Sequence, residues 1–362
     1  MKIWKWLYPE MKVKRWFRPL DKITAGIKEE FMLDGETLDA LFQERIEGKG
    51  PSIVALGGGT GLSNFLRGIK KYTDNITAIV TVADDGGSSG KLRDELGILP
   101  PGDIRNCLVA LANREPLMEK LFQYRFKDEG HLSGHSFGNL FIASMTKVLG
   151  DFEEAIKESS KVLAIKGQVL PATNEDIHLG AFYEDNSMRM GESIIPLKGK
   201  KIEQVFLRPA DCKPTEDSIK AIKNADIIVI GPGSLYTSIL PNLLIKGISN
   251  NIKESNAVKV YICNVMTQPG ETRNYTASNH VRAIYNHIGE GIFDYIIVNN
   301  GVGDKIIQKR YEQEGAYSVK VNIDELNKMG LKVIEEDLLS RTDYIRHDSY
   351  HLARVILRII ER

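Results

Sequence analysis

A chain of 362 residues, 42% hydrophobic and 27% charged, carries enough apolar sequence for one large globular domain with insertions. Lys plus Arg and Asp plus Glu number 48 each, so the charge balance points neither to nucleic acid nor to an acidic polymer as a partner. Three widely spaced cysteines, Cys107, Cys212 and Cys263, make neither a disulfide framework nor a metal-ligand spacing, which suits a reducing cytoplasm.

The first eighteen residues form a block of their own. They hold Trp4, Trp6 and Trp16 beside Lys2, Lys5, Lys12, Lys14, Arg15 and Arg18. Aromatic rings interleaved with cations suit the surface of a membrane, so a peripheral membrane contact through residues 1–18 is one reading. Docking of the tryptophans on protein is the other, and Pro9 breaks any long helix there. No apolar run approaches the ~18 residues that span a bilayer, and no signal-peptide core is present. A polar connector follows and ends at Gly48-Lys49-Gly50-Pro51, which divides an extension, 1–49, from a main domain, 50–362.

The main domain starts with Ser52-Ile53-Val54-Ala55-Leu56, a short buried strand that runs straight into Gly57-Gly58-Gly59-Thr60-Gly61. Leu62, Phe65, Leu66 and Ile69 then have helical spacing, and Ile76–Val82 reads as a second strand. Strand, helix and strand within about thirty residues make a βαβ unit and imply a parallel sheet. Glycines at a strand–helix junction let backbone N–H groups approach phosphate oxygens, and the helix directs its positive end at the anion. Thr60 and Ser63 offer further hydroxyl donors. Read from Gly57, the pattern is G-x-G-x-x-L, so it matches neither the dinucleotide fingerprint nor the Walker loop.

The second strand ends at Ala83-Asp84-Asp85-Gly86-Gly87-Ser88-Ser89-Gly90. Carboxylates at the carboxyl end of a parallel strand stand where ligands bind in open α/β sheets. Asp84 and Asp85 can hold Mg²⁺ together with ligand phosphates, or one of them can simply turn the chain. Lys91 and Arg93 are either counter-charges to phosphate or a solvated helix face. In Pro100-Pro101-Gly102-Asp103-Ile104-Arg105-Asn106, Asp103 reads as a helix N-cap. Arg105 and Asn106 fall in the first helical turn, where a cation needs a compensating anion, either Asp103 or a ligand. Helical stretches are predicted over 104–112, 115–124 and 137–149.

Residues 168–207 show short alternating runs between polar turns and read as an antiparallel β insertion. Parallel-type strands return at 226–230, 258–263 and 295–298. The first of these leads into Gly231-Pro232-Gly233-Ser234, a second glycine loop with Ser234 as the expected helix cap. Two such loops on one sheet edge make a crevice. Asn264, Thr267, Gln268, Asn299 and Asn300 follow later strands, where amides suit a uracil or sugar hydroxyls and equally suit turns. Arg346 is a candidate phosphate clamp. His347 with His351 is too small a set for a metal. His135 reads as a hydrogen-bonding histidine without a nucleophile beside it.

The runs GGGTGL, ITAIVTVADDGGSSGKLRDEL, PPGDIRN, SGHSFGN, GPGSLYTSILPNLL, NVMTQPGET and RHD, spread over most of residues 52–355, resemble the YvcK/CofD-like family in its bacterial gluconeogenesis factor branch. The resemblance implies a three-layer Rossmann-like parallel sheet and a cytoplasmic protein. It implies a role in growth on gluconeogenic carbon sources and in cell shape, with binding of UDP-sugars such as UDP-N-acetylglucosamine. The related CofD branch is a transferase that moves a phospholactyl group onto a deazaflavin. The DDGGSSGKLRDEL block is that of the gluconeogenesis branch, so a binding factor is expected, with a Mg-dependent transferase as the alternative. The expected ligand set is Gly57, Gly58, Gly59, Thr60, Gly61, Asp84, Asp85, Ser88, Arg105, Asn106, Gly231, Gly233, Ser234, Asn264 and Arg346. The expected partner is a nucleotide sugar or dinucleotide, with no nucleic acid, in a homo-oligomer.

Overall fold

The computed structural model describes residues 50–113, 116–127, 130–340 and 345–361. The expectations for residues 1–49, the Trp-rich start and its connector, lie outside the described residues. Among the described residues, no helix is long and apolar enough to cross a membrane.

A seven-stranded sheet forms the centre. Its strands are β1 (Ile53–Gly57), β2 (Ile76–Val80), β3 (Gln168–Pro171), β7 (Ile227–Ile230), β8 (Val258–Ile262), β9 (Tyr295–Asn299) and β10 (Lys332–Glu336). They lie in the order β10-β9-β8-β7-β1-β2-β3, and every pairing among them is parallel. The β1 residues Ile53 to Leu56 are at most 1% exposed, as are Ile227 to Ile230 of β7. That burial is why these strands read as continuous apolar runs rather than as alternating ones.

The order reverses once. From β1 the chain builds outward through β2 to β3, returns to pair β7 with β1, and builds outward the other way to β10. Right-handed crossovers then put the helices of the two halves on opposite faces, which gives the three layers. The reversal falls between β1 and β7, the two strands that end in glycine loops.

The helix after β1, α1 (Gly59–Ile69), buries Leu62, Phe65, Leu66 and Ile69, the stripe that the spacing predicts. Between β2 and β3 the chain forms α2 (Gly87–Leu96), α3 (Gly102–Leu111), α4 (Pro116–Gln123) and α5 (Phe137–Leu149). The C-terminal helix Ser349–Glu361 packs on α1.

The expected antiparallel stretch at 168–207 divides in two. Gln168–Pro171 pairs parallel with β2 as the edge strand of the main sheet. The antiparallel sheet proper is β5 (Met188–Met190), β4 (His178–Tyr183) and β6 (Ile202–Arg208), in that order. Four residues are too few to show a period, so β3 and the following hairpin look alike in sequence. Arg93 ties this sheet to α2. Its guanidinium donates to the Ile177 carbonyl at 2.7 Å and pairs with Asp176, and the residue is buried. Arg93 is therefore neither a phosphate counter-charge nor part of a solvated face.

Candidate ligand crevice at the strand switch point

The two glycine loops meet. A Cβ on Gly61 would stand 2.5 Å from the Pro232 carbonyl oxygen and 3.0 Å from the Gly233 nitrogen, so only glycine permits this approach. Gly59 has a φ of +62°, the left-handed region that glycine enters without strain. Between the loops lies a cavity of about 190 Å³ lined by Gly58, Gly59, Thr60, Gly61, Gly233, Ser234, Asn264 and Arg346. Those eight are all in the expected set. Gly57 and Gly231 lie in the backbone beneath, with the Gly231 N–H donating to the Leu56 carbonyl at 3.0 Å. Asn64, Ser238, Gln268 and His347 complete the polar lining. His347 and Gln268 were weighed from sequence without entering the set. Asn64 and Ser238 carry no local signal, because each sits within a helical run.

The remaining expected residues gather beside this cavity, around α2 and α3. Asp103 is not the N-cap of α3; Pro101 is, and Asp103 sits one residue inside the first turn. Its carboxylate reaches the first glycine loop and accepts a hydrogen bond from the Gly59 N–H. A Cβ on Gly58 would lie 2.5 Å from Asp103 Oδ2. Burial, followed by the nearby charge of Asp84, pushes the Asp103 carboxyl up to about 6. Glu192, from the turn after β5, joins the cluster. Burial and the charges of Asp84, Asp103 and Asp85 push it up to about 8. No local pattern in the sequence marks Glu192 or the reach of Asp103. A lone glutamate in the turn after β5 gives no hint that the fold lays it against three aspartates.

The Asp84-Asp85 pair splits. Asp84 Oδ1 accepts from the Gly86 N–H at 2.9 Å and turns the chain, while its other oxygen faces Gly102 at the start of α3. Asp85 Oδ1 accepts from the Ser193 N–H at 2.9 Å and so holds the Glu192 turn over the cluster. Ser88 is buried among side chains. Its hydroxyl lies 3.0 Å from His135 Nδ1 and accepts from Asn139 Nδ2 at 3.1 Å. Arg105 donates to Ser136 Oγ, to Asn139 Oδ1 at 3.0 Å and to Asn106 Oδ1 at 2.8 Å. These side chains form a packed network behind the acidic cluster rather than a direct lining of the cavity. Among the described residues, no group of three or more His, Cys, Asp or Glu is arranged to hold a metal ion.

Three further expectations change. The Ser63 hydroxyl donates to the Thr60 carbonyl at 3.1 Å and is turned into its own helix. Ser234 precedes the helical turn but makes no side-chain cap. Its Oγ instead accepts from Gln268 Nε2 at 2.6 Å, and Gln268 Oε1 accepts from Asn264 Nδ2 at 3.3 Å. The cap comes from Glu271, whose oxygens accept from the Tyr236 N–H and the Thr237 hydroxyl, each at 3.0 Å. Asn299 is spent on its own turn, accepting from the Gly301 and Leu338 N–H groups. Thr267 Oγ1 accepts from the Tyr317 N–H at 2.9 Å. Asn299 thus serves its own turn and a distant strand end, whereas Thr267 ties its loop to a segment 50 residues on rather than closing a turn.

A parallel sheet with two glycine loops meeting at its switch point, and Arg346 among the residues that line the cavity between them, defines a Rossmann-like α/β protein. The family described as 2-phospho-L-lactate transferase CofD matches residues 53–339, and the chain belongs to that family. It is 52% identical to the gluconeogenesis factor of Bacillus subtilis over 315 residues, covering 87% of this chain and 99% of that one. It is 53% identical to the gluconeogenesis factor of Halalkalibacterium halodurans over 310 residues, 85% of this chain and 96% of that one. The crystal structure of protein BH3568 from Bacillus halodurans superposes with a TM-score of 0.83 at 53% identity, covering 85% of this chain and all of that chain.

Proposed function

We propose that the chain is a nucleotide-sugar-binding factor, taking a ligand of the UDP-N-acetylglucosamine kind, and that it serves growth on gluconeogenic carbon sources and normal cell shape from the cytoplasm. One observation carries this reading: the cavity at the β1–β7 switch point is lined by the glycine loop Gly58 to Gly61 and by Arg346. A diphosphate meets donors on both sides there. The Asn264–Gln268–Ser234 chain adds amides suited to hydroxyls and carbonyls. The gluconeogenesis factors to which the chain is similar support the physiological half.

The acidic cluster favours a second reading, a CofD-like Mg-dependent transferase. Hard carboxylate oxygens beside a phosphate slot suit Mg²⁺, which takes one or two carboxylates plus ligand phosphates. Burial is the main cause that raises Asp103 and Glu192, and the repulsion from Asp84 that adds to it is what a cation near Asp84 would relieve. The network of Arg105, Ser136 and Asn139 keeps that wall in place.

A thermal-shift titration with UDP-N-acetylglucosamine, UDP and pyrophosphate, with and without Mg²⁺, tests both. The binding reading expects a melting temperature that rises with UDP-N-acetylglucosamine, equivalent to about 2.7 kcal/mol at a hundredfold excess over Kd, and a ligand recovered intact. Metal-dependent consumption of the ligand, lost in Asp84→Asn, would establish the transferase instead.

A further inference from the structure

His347 is a wall of the crevice whose chemistry the phosphate reading leaves unused. It sits between β10 and the C-terminal helix, and it lines the same cavity as Gly58 to Gly61. Only 6% of the residue is exposed. Its Nε2 is buried and has no hydrogen-bond partner, a costly state for a polar atom unless something arrives to satisfy it.

The ring is neutral. Burial holds it down to about 4, although a hydrogen bond to the Cys263 backbone pulls the other way. A neutral imidazole has one N–H and one lone pair. With the N–H given to Cys263, Nε2 is left as an acceptor.

The ring is also held in place. Residue 347 forms a β-bridge with Leu339. Its carbonyl accepts from Asn64 Nδ2, on α1, at 2.7 Å. The next residue's N–H donates to the Leu338 carbonyl at 2.7 Å. The helix that presents the phosphate loop thus also fixes the backbone of His347.

The loop N–H groups and Arg346 are donors, and donors are what a phosphate requires. They do nothing to recognise an O–H or N–H on the rest of a ligand. Resting on the reading of this crevice as a nucleotide-sugar site, we propose that His347 is a specificity-determining acceptor. Its Nε2 takes a hydrogen bond from a hydroxyl or amide N–H on the non-phosphate part of the ligand. It thereby selects phosphate esters of a nucleoside or sugar over bare pyrophosphate.

Calorimetric titration of UDP-N-acetylglucosamine and of pyrophosphate into wild type, His347→Phe and His347→Gln tests this. In His347→Phe, UDP-N-acetylglucosamine should bind about tenfold more weakly or worse, the size expected for losing one buried hydrogen bond, with pyrophosphate unchanged. His347→Gln, whose Oε1 restores an acceptor, should recover part of the loss. The wild-type chain gives a second readout that needs no stable variant. The unprotonated ring nitrogen of His347 should shift in the nitrogen NMR spectrum on adding UDP-N-acetylglucosamine and stay in place with pyrophosphate. Equal weakening of both probes would mean a purely structural histidine and overturn the proposal. Unchanged binding of both, or a ring nitrogen indifferent to the nucleotide sugar, would overturn it too while leaving the crevice reading intact. A wild type that binds neither probe removes both.

Discussion

The two glycine loops look alike in sequence and differ in what has already claimed their N–H groups. After β7, the helical turn beginning at Leu235 is capped from within: Glu271 takes the Tyr236 N–H and the Thr237 hydroxyl and is itself buried. After β1, one internal carboxylate, Asp103, reaches Gly59 from the side, and the loop lines an open cavity. A strand–glycine–helix junction is therefore an anion site only where its donors remain unclaimed. The first loop lines the cavity; the second supplies the close approach at Pro232 and Gly233 that shapes the other wall.

The largest expected effect comes from emptying the second loop. Glu271→Ala strands a buried N–H and a buried hydroxyl and should cost about 2–4 kcal/mol of stability in urea melts. Affinity of the remaining folded protein for UDP-N-acetylglucosamine should change less than twofold. A new phosphate site appearing in this variant would mean that the two loops differ only in their occupant. Gly61→Ala comes next. Its methyl group would press on the Pro232 carbonyl, at a cost of about 1–3 kcal/mol. It should also weaken nucleotide-sugar binding at least about tenfold, because the loop must shift on the wall that matters.

Asp103→Asn is the smallest effect and has a pH signature. The Asp103 carboxyl is raised in the folded chain from its ordinary value of 3.8 to about 6. The folded state therefore binds the proton more tightly, and stability falls as pH rises from about 4 through 6. Asp103→Asn should remove Asp103's share of that fall and leave the share of Glu192, whose own window runs from its ordinary 4.5 to about 8. It should match wild type at pH 4 and exceed it by about 1–2 kcal/mol at pH 8, allowing for solvent screening at a partly exposed group. Any slope left between pH 6 and 8 belongs to Glu192, raised to about 8, and should vanish in the added Glu192→Gln. Without Mg²⁺, Asp103→Asn should bind pyrophosphate several-fold more tightly, since a negative charge leaves the Gly59 donor.

Much of the frame was legible from local pattern. Continuous apolar strands at β1 and β7 and the 62, 65, 66, 69 stripe of α1 are one-dimensional signals of burial on two faces or one. Capping was less legible. Ser234 has the right residue type in the right place, yet its hydroxyl goes to Gln268, and a glutamate 35 residues or so further on takes the helix end. Cap preference is a tendency worth about 1 kcal/mol, and a buried carboxylate with two partners outweighs it. The Asp84-Asp85 pair was more legible. Neighbouring residues point apart, so one carboxylate turning the chain while the other serves elsewhere is what adjacency predicts, and each does serve a different partner.

The sequence by itself determined that a parallel α/β sheet would carry glycine loops after β1 and β7, because strand, glycine and helix signals are local. Only the tertiary structure decided that β1 and β7 are neighbours at the point where the strand order reverses, so that two separate loops become one crevice. The same is true of the partners brought to it. Asp103 on Gly59, Glu192 over Asp84, and His347 against the cavity join residues from 44 to nearly 300 positions apart. Their proximity is set by crossover handedness and sheet order, which no local run of residues encodes.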